Sequence, residues 1–464
     1  MSLREAARET GRIRPDILSG ALARLLAYLP VARGDNAATQ RAALVAFAIR
    51  VASAGIAFFS QVLLARWMGS FEYGIFVFVW VWVLILGGLS ALGLSTVCTR
   101  FVPEYRETRR FALLRGLLLY TRLIAVSAST LMALAGFAGL TWYGHMLSGY
   151  YLLPAFLILF CLPMFTLIDI QDGIARGFGW MNVALTPPYI ARPLLLLAAM
   201  LAAYAAGMEM SAVNAAGAAI FACWVSTIFQ SWQLERRMGT VMDKGKRTYQ
   251  TGLWVRTALP LLLVHGFALL LMNTDILVLA RYMDPAQVAV YFAALKTISL
   301  VSFVHFAVGA AAANRLSAHK ARDERAKLQS VVRDAVRWTF WPSLAGTIIL
   351  LALGKPLLWL FGAEFTAAYP VMFVLAAGLI IRAAMGPVEM ILNMLGEQKL
   401  CAIVLFGTAG LNLALNFALI PAYGLMGAAS ATAFAMALGA ICMAIVAHRR
   451  LALDCFAWQL RGSK

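Results

Sequence analysis

LARWM at Leu64–Met68 returns as LARYM at Leu279–Met283, 215 positions further along the chain. The same offset carries Arg50 onto His265 and Thr99-Arg100-Phe101 onto Asn314-Arg315-Leu316, so register holds through two successive apolar stretches. Further on the offset becomes 217, with Asp172 falling on Glu389 and Gly179 on Gly396, which needs only a small length difference between the halves. The second half therefore repeats the first. Duplicated membrane halves are the plan of many transporters, whose binding site lies between the two repeats.

Composition supports a membrane chain. With 62% hydrophobic and 13% charged residues and a mean hydropathy of +0.80, a soluble domain of 464 residues is excluded. The net charge of +18 would point to nucleic acid in a soluble protein, but the placement of the basic residues gives it a topological cause and implies no nucleic-acid partner. Cys98, Cys161, Cys223, Cys401, Cys442 and Cys455 fall in apolar spans or near their ends without a CxxC pair, so neither a disulfide framework nor a metal site is indicated. The arginine-rich start lacks a long apolar core with a cleavage site, and no removable signal peptide is expected.

At roughly 20 apolar residues per crossing, the chain is read as all-α with twelve transmembrane helices in two parallel repeats. The first six span 43–65, 73–98, 117–141, 150–171, 187–206 and 214–232; the second six span 257–280, 287–311, 338–361, 369–392, 401–420 and 425–447. This divides the chain into an N-terminal segment (1–41), read either as an interfacial helix built on Ile17, Leu18, Leu22, Leu25 and Leu29 or as a disordered tail, a first bundle (42–232), a linker (233–256), a second bundle (257–448) and a tail (449–464). Alternate connections are basic, with Arg100, Arg106, Arg109, Arg110 and Arg115 in one and Arg236, Arg237, Lys244, Lys246 and Arg247 in another. Intervening ones hold chiefly Arg66 and Arg281. Basic loops resist export, so both termini are expected in the cytoplasm, with the polar stretch from Glu235 to Gln250 as the natural hinge between halves.

Charges inside the spans are the candidate functional residues, because each needs a water-filled cavity, a partner or an escape to the interface. Arg50 shares a helix face with Ser53, Ala57 and Gln61; Lys296 lies near the middle of the eighth span; Arg382 lies on the tenth. Arg50, Lys296, Arg382 and Gln61 are the expected substrate-binding set. Asp275 and His265 on the seventh span and Glu389, seven positions after Arg382, form a candidate coupling or cavity ion-pair set. For Asp275 and Lys296 a structural ion pair and a cavity role both stand open. Arg122 reads as a snorkelling side chain and Asp172 with Arg176 as a surface pair. A net cationic interior favours an anionic ligand, up to the size of a phosphorylated lipid headgroup, since guanidinium grips phosphate through two donors.

LLARWMGSFEYGIF from Leu63, LGLSTVCTRFVPEY from Leu92, TDILVLARYM from Thr274 and LNLALNFALIPAYGLMGAA from Leu411 together resemble the multidrug/oligosaccharidyl-lipid/polysaccharide exporter superfamily, in its Wzx-like polysaccharide flippase branch. The resemblance covers nearly all of the chain after residue 40. It implies two six-helix bundles in a V around a central cavity, opening to each side in turn. The implied cargo is an undecaprenyl-pyrophosphate-linked oligosaccharide, with membrane lipid as surroundings and a polysaccharide polymerase or other assembly protein as further partner.

Other classes fit less well. The connections opposite the basic ones are too short to carry a catalytic platform, there is no Walker A loop or HExxH pair, and Gly177-Phe178-Gly179 lacks a third glycine, so no enzyme activity or cofactor is implied. TRFVPEYRETRR stands where a major-facilitator signature would be. An ion-coupled multidrug or small-molecule antiporter of the same superfamily is the alternative, served by Asp275 and Glu389.

Overall fold

Helices cross a bilayer only if their apolar length suffices and their backbone bonds close internally, and nine unbroken or glycine-kinked helices among the described residues of the computed structural model are long and apolar enough to do so. It describes residues 35–243, 245–321 and 324–457, with side chains from residue 52 onward except at 310, 314, 315 and 317–321. The segment read as an interfacial helix lies outside the described residues, as does the Arg50 side chain. From Arg50 onward the chain forms one compact unit, with no strand among the described residues.

The elements in order are α1 (Asp35–Ser90), α2 (Leu94–Glu107), α3 (Phe111–Tyr143), α4 (Gly149–Gly177), α5 (Met181–Ala205), α6 (Ala212–Met238), α7 (Thr251–Tyr282), α8 (Pro285–Ser299), α9 (Ser302–Ala321), α10 (Arg325–Ala352), α11 (Gly354–Trp359), α12 (Tyr369–Ala384), α13 (Val388–Met394) and α14 (Gln398–Leu451). Two of these are too long for one crossing. α1 breaks at Gly69 (φ 74°) and α14 at Gly424 (φ 55°), left-handed conformations that a side chain disfavours by about 1–2 kcal/mol, so each reverses at a glycine and supplies two spans. α8 and α9 form one span bent by 41°, and α12 with α13 another, interrupted near Gly386. The result among the described residues is twelve spans, six per half, as the sequence predicts.

The halves meet at both ends. At the end away from the basic connections, Phe58 packs edge-on against Phe361 at 5.5 Å, Tyr73 approaches Phe365 and Phe292, and Gly74 lies under the Pro285 backbone. At the basic end Trp254 Nε1 donates to the Tyr105 hydroxyl at 3.0 Å, and that hydroxyl donates to Gln250 Oε1 at 3.1 Å. The stretch read as a hinge is fastened down: Arg115 donates to the Asp243 and Lys246 carbonyls at 2.8 and 3.0 Å, and the Thr248 N–H to Ala112 O. Guanidinium-to-carbonyl bonds account for the difference, since a polar linker finds partners as soon as one arginine on α3 faces it.

The start of the tail is docked as well. Leu453, Cys455 and Ala457 are buried in the second half, Gln329 and Asp454 exchange two hydrogen bonds at 3.1 Å, and the Ala457 N–H caps the Ala384 carbonyl. Burial pushes the Cys455 thiol up to about 12, so it stays protonated and unreactive.

The Gly74 contact generates a sharp expectation. A Cβ there would sit 1.8 Å from the Pro285 carbonyl oxygen, whereas one at Gly217 meets nothing within 4 Å. Gly74→Val should cost about 1–3 kcal/mol through overpacking and lower the thermal unfolding midpoint of the purified protein, with Gly217→Ala as the neutral control; equal midpoints would show that the halves do not meet there.

Candidate functional site

A cavity of about 320 Å³ lies between the halves, walled by the first limb of α1, the second limb of α1, α5, α6, α8 and the start of α9. Two cations line it, Arg192 from the first half and Lys296 from the second. Local sequence explains Arg192: Pro187, Pro188 and Pro193 interrupt the hydrogen-bond ladder of α5, and residues Pro187–Ala191 relax into a π-helical turn directly before it. Its guanidinium lies 5.5 Å from the Trp80 ring centroid and 5.0 Å from that of Phe165. It makes no hydrogen bond or ion pair with any described residue, so its N–H donors are unspent. Lys296 stands 4.8 Å over the Phe292 ring; its ammonium makes no hydrogen bond or ion pair with a described residue, and Asp275 lies within electrostatic reach of it.

Gln61 completes the donor set. Its Oε1 accepts from the Tyr73 hydroxyl at 2.8 Å, which leaves its amide N–H groups to the cavity it lines. Ser60 and Ser299 offer less, because their hydroxyls donate back to the Ile56 and Lys296 carbonyls. No carboxylate lines the chamber among the described residues, while Phe58, Phe76, Trp80, Phe292 and Phe303 give it an aromatic wall. Such a chamber can hold an anion by charge-assisted hydrogen bonds and stack flat groups beside it.

The other predicted residues lie elsewhere. Arg382 lines a separate cavity of about 40 Å³ with His305, and its Nη2 is 3.9 Å from Glu389 Oε2. Glu389 lies within electrostatic reach of His265, which packs close to Gly88 of α1. Asp275 is buried and forms no ion pair with Lys296; it accepts from the Tyr291 hydroxyl at 2.7 Å, the Thr432 hydroxyl at 3.2 Å and the Ile276 N–H at 2.9 Å. Thr432 in turn accepts from Asn412, and Asn412 Oδ1 from Asn416 Nδ2 at 2.8 Å, leaving Asn416 Oδ1 buried without a partner. Arg122 is paired with Glu235, and Asp172 with Arg176 at 2.7 Å.

The structure thus brings together Lys296 and Gln61, and groups Arg382 with Glu389 near His265. It keeps Asp275 in a third, closed network. Sequence reasoning missed Arg192, although an arginine between prolines inside a predicted span carried the signal. It also missed Asn412, Asn416 and Thr432, where two asparagines four apart mark one helix face.

Known proteins match this chain in sequence and in fold. The MatE family model matches residues 260–418. The probable low-salt glycan biosynthesis flippase Agl15 of Haloferax volcanii is 24% identical over 168 residues, covering 36% of this chain. The match spans 36% of that relative's length. An inward-facing multidrug resistance MATE family transporter of the MOP superfamily superposes with a TM-score of 0.72 at 15% identity, covering 86% of this chain and 94% of that one. The lipid II flippase MurJ, in an inward closed conformation, gives 0.68 at 14% identity, covering 87% of each chain. The resemblance read from the sequence is borne out at the level of the superfamily: the chain is a multi-pass membrane protein with the fold of the multidrug/oligosaccharidyl-lipid/polysaccharide exporters.

Proposed function

We propose that this transporter moves a lipid-linked oligosaccharide repeat unit from the cytoplasmic to the outer leaflet of the cytoplasmic membrane. The observation that carries the reading is the pair Arg192 and Lys296, one from each half, both without an ion-pair or hydrogen-bond partner among the described residues, in an aromatic chamber that no described carboxylate lines. A cation exporter needs the opposite sign. A diphosphate supplies the missing charge, and Arg192 can meet it through two parallel donors. Known ligand pockets run from about 300 to 1,000 Å³, so 320 Å³ takes the diphosphate and its first sugar, while the rest of the glycan extends toward the basic end. The polyprenyl tail stays in the bilayer. In this reading the basic connections face the cytoplasm, the halves rock to expose the chamber on each side in turn, and no covalent bond changes. A polymerase or other assembly protein would receive the unit on the far side.

Arg192→Ala and Lys296→Ala should each lower flipping of a polyprenyl-diphosphate glycan in proteoliposomes by at least about tenfold, the worth of one lost charge-assisted bond. The protein should remain folded in the membrane, and Arg192→Lys should retain part of the activity. Undiminished flipping in both alanine variants would remove the basis of the proposal.

A second reading, coupling to an inorganic cation, draws on the Asp275 network. A buried carboxylate that is hydrogen-bonded but not ion-paired, joined through Thr432 to two asparagines, is suited to a proton or a small cation. Asp275→Asn should leave cargo binding near its original affinity and abolish any dependence of transport on a sodium or proton gradient. A gradient dependence that persists in this variant would exclude Asp275 as the coupling group.

A further inference from the structure

Arg66, the arginine of the repeated pentapeptide, has no place in the chamber. It stands at the far end of the first span, where its Nε donates to the Leu360 carbonyl at 2.7 Å and its Nη2 to the Trp359 carbonyl at 2.8 Å. Its guanidinium carbon also lies 4.7 Å from the Trp359 ring centroid. Arg66 belongs to the first half and Trp359 and Leu360 to the second, nearly 300 residues on. The acceptors sit at the C-terminus of α11, where helix carbonyls gather partial negative charge and favour a cation.

The contact is ringed by the other far-end junctions: Phe58 on Phe361, Tyr73 near Phe365, and Gly74 beneath Pro285. On the same span, Ala57, Phe58, Gln61 and Leu64 line the chamber, so Arg66 closes the wall just beyond its last lining residue. Its repeat mate behaves differently. Arg281, exposed at the end of α7, makes no hydrogen bond, ion pair or ring contact with any described residue. The duplication keeps the arginine twice, and this state of the molecule uses it once.

We propose that Arg66 is the latch of the outer gate: its grip on the two carbonyls holds the chamber closed on the side away from the basic connections, and it lets go when the chamber opens there. This rests on the transporter fold and its two halves, not on the nature of the cargo. All three contacts cross the interface between the halves, so every one must break for the halves to part at that end. Each half keeps its own helices intact when they do. A latch of backbone carbonyls and a single guanidinium is reversible, because water can replace the carbonyls once the mouth parts.

The test reads accessibility and needs no substrate. In protein whose six native cysteines are replaced by serine, Ala57→Cys places one thiol in the chamber, and membrane vesicles of both orientations are treated with a membrane-impermeant maleimide. Adding Arg66→Ala should raise the rate of labelling from the far side by about tenfold, and Arg66→Lys, which loses the forked donor geometry, by a smaller factor. If Arg66→Ala does not accumulate, Trp359→Leu removes the ring and leaves both carbonyls, and should raise the rate by about threefold. Far-side labelling that stays at the parent rate in these variants would overturn the latch and leave Arg66 as a structural staple. Because flipping is not measured, this failure is distinct from failure of the glycolipid reading.

Discussion

An ionised side chain in a bilayer costs about 2.5–3.5 kcal/mol on insertion scales unless water, a counter-charge or an aromatic face stands in for bulk solvent. Neither Arg192 nor Lys296 is ion-paired to a described carboxylate, and each rests against aromatic rings instead. Rings cover part of a cation's surface and leave its N–H donors needing partners, so the fold must keep a wet lumen between its halves. Much of the remaining design answers that requirement. α5 is interrupted by proline where it borders the lumen, because freed backbone groups are tolerable only beside water or other protein. The far end is closed by aromatic contacts and one arginine, since an unsealed lumen would be a leak.

The coarse architecture is legible in the sequence because two constraints act on every residue at once. Apolar length fixes where a helix can cross, and the repeat fixes how many times, so even the breaks at Gly69 and Gly424 lie between spans that hydropathy already separates. Pairings are harder. A spacing of seven puts Arg382 and Glu389 on one face, yet seven residues of unbroken helix separate them by about 10 Å. They come within ion-pair distance only because the helix stops after Ala384 and restarts at Val388. Periodicity carries no information about such a break until Gly386 is seen at φ 68°.

Arg192 escapes sequence reasoning for a related reason. The prolines around it read as kinks, and a kink says nothing about where the next side chain points. The π-helical turn decides that by adding a residue to the helix and rotating the segment beyond it. Gln61 and Lys296, on uninterrupted stretches, are found by face and depth alone. Asp275 and Lys296 show the limit of that method, since adjacent spans bring two opposite charges near each other and the hydroxyls of Tyr291 and Thr432 still claim the carboxylate.

The chamber and the Asp275 network are separate in space and joined by α8. Tyr291 donates to the Asp275 carboxylate, and its neighbour Phe292 lies beneath Lys296 in the chamber wall. Successive residues of one helix cannot move independently. A displacement of α8 at Tyr291 would also displace Phe292, and with it the ring under the chamber's ammonium. An ion of opposite sign would favour the charged form at each site, an anion in the chamber and a cation at the network. Among the described residues α8 thus carries groups of both sites, Lys296 and Phe292 of the chamber and Tyr291 of the network, and its span bends by 41° just beyond Lys296.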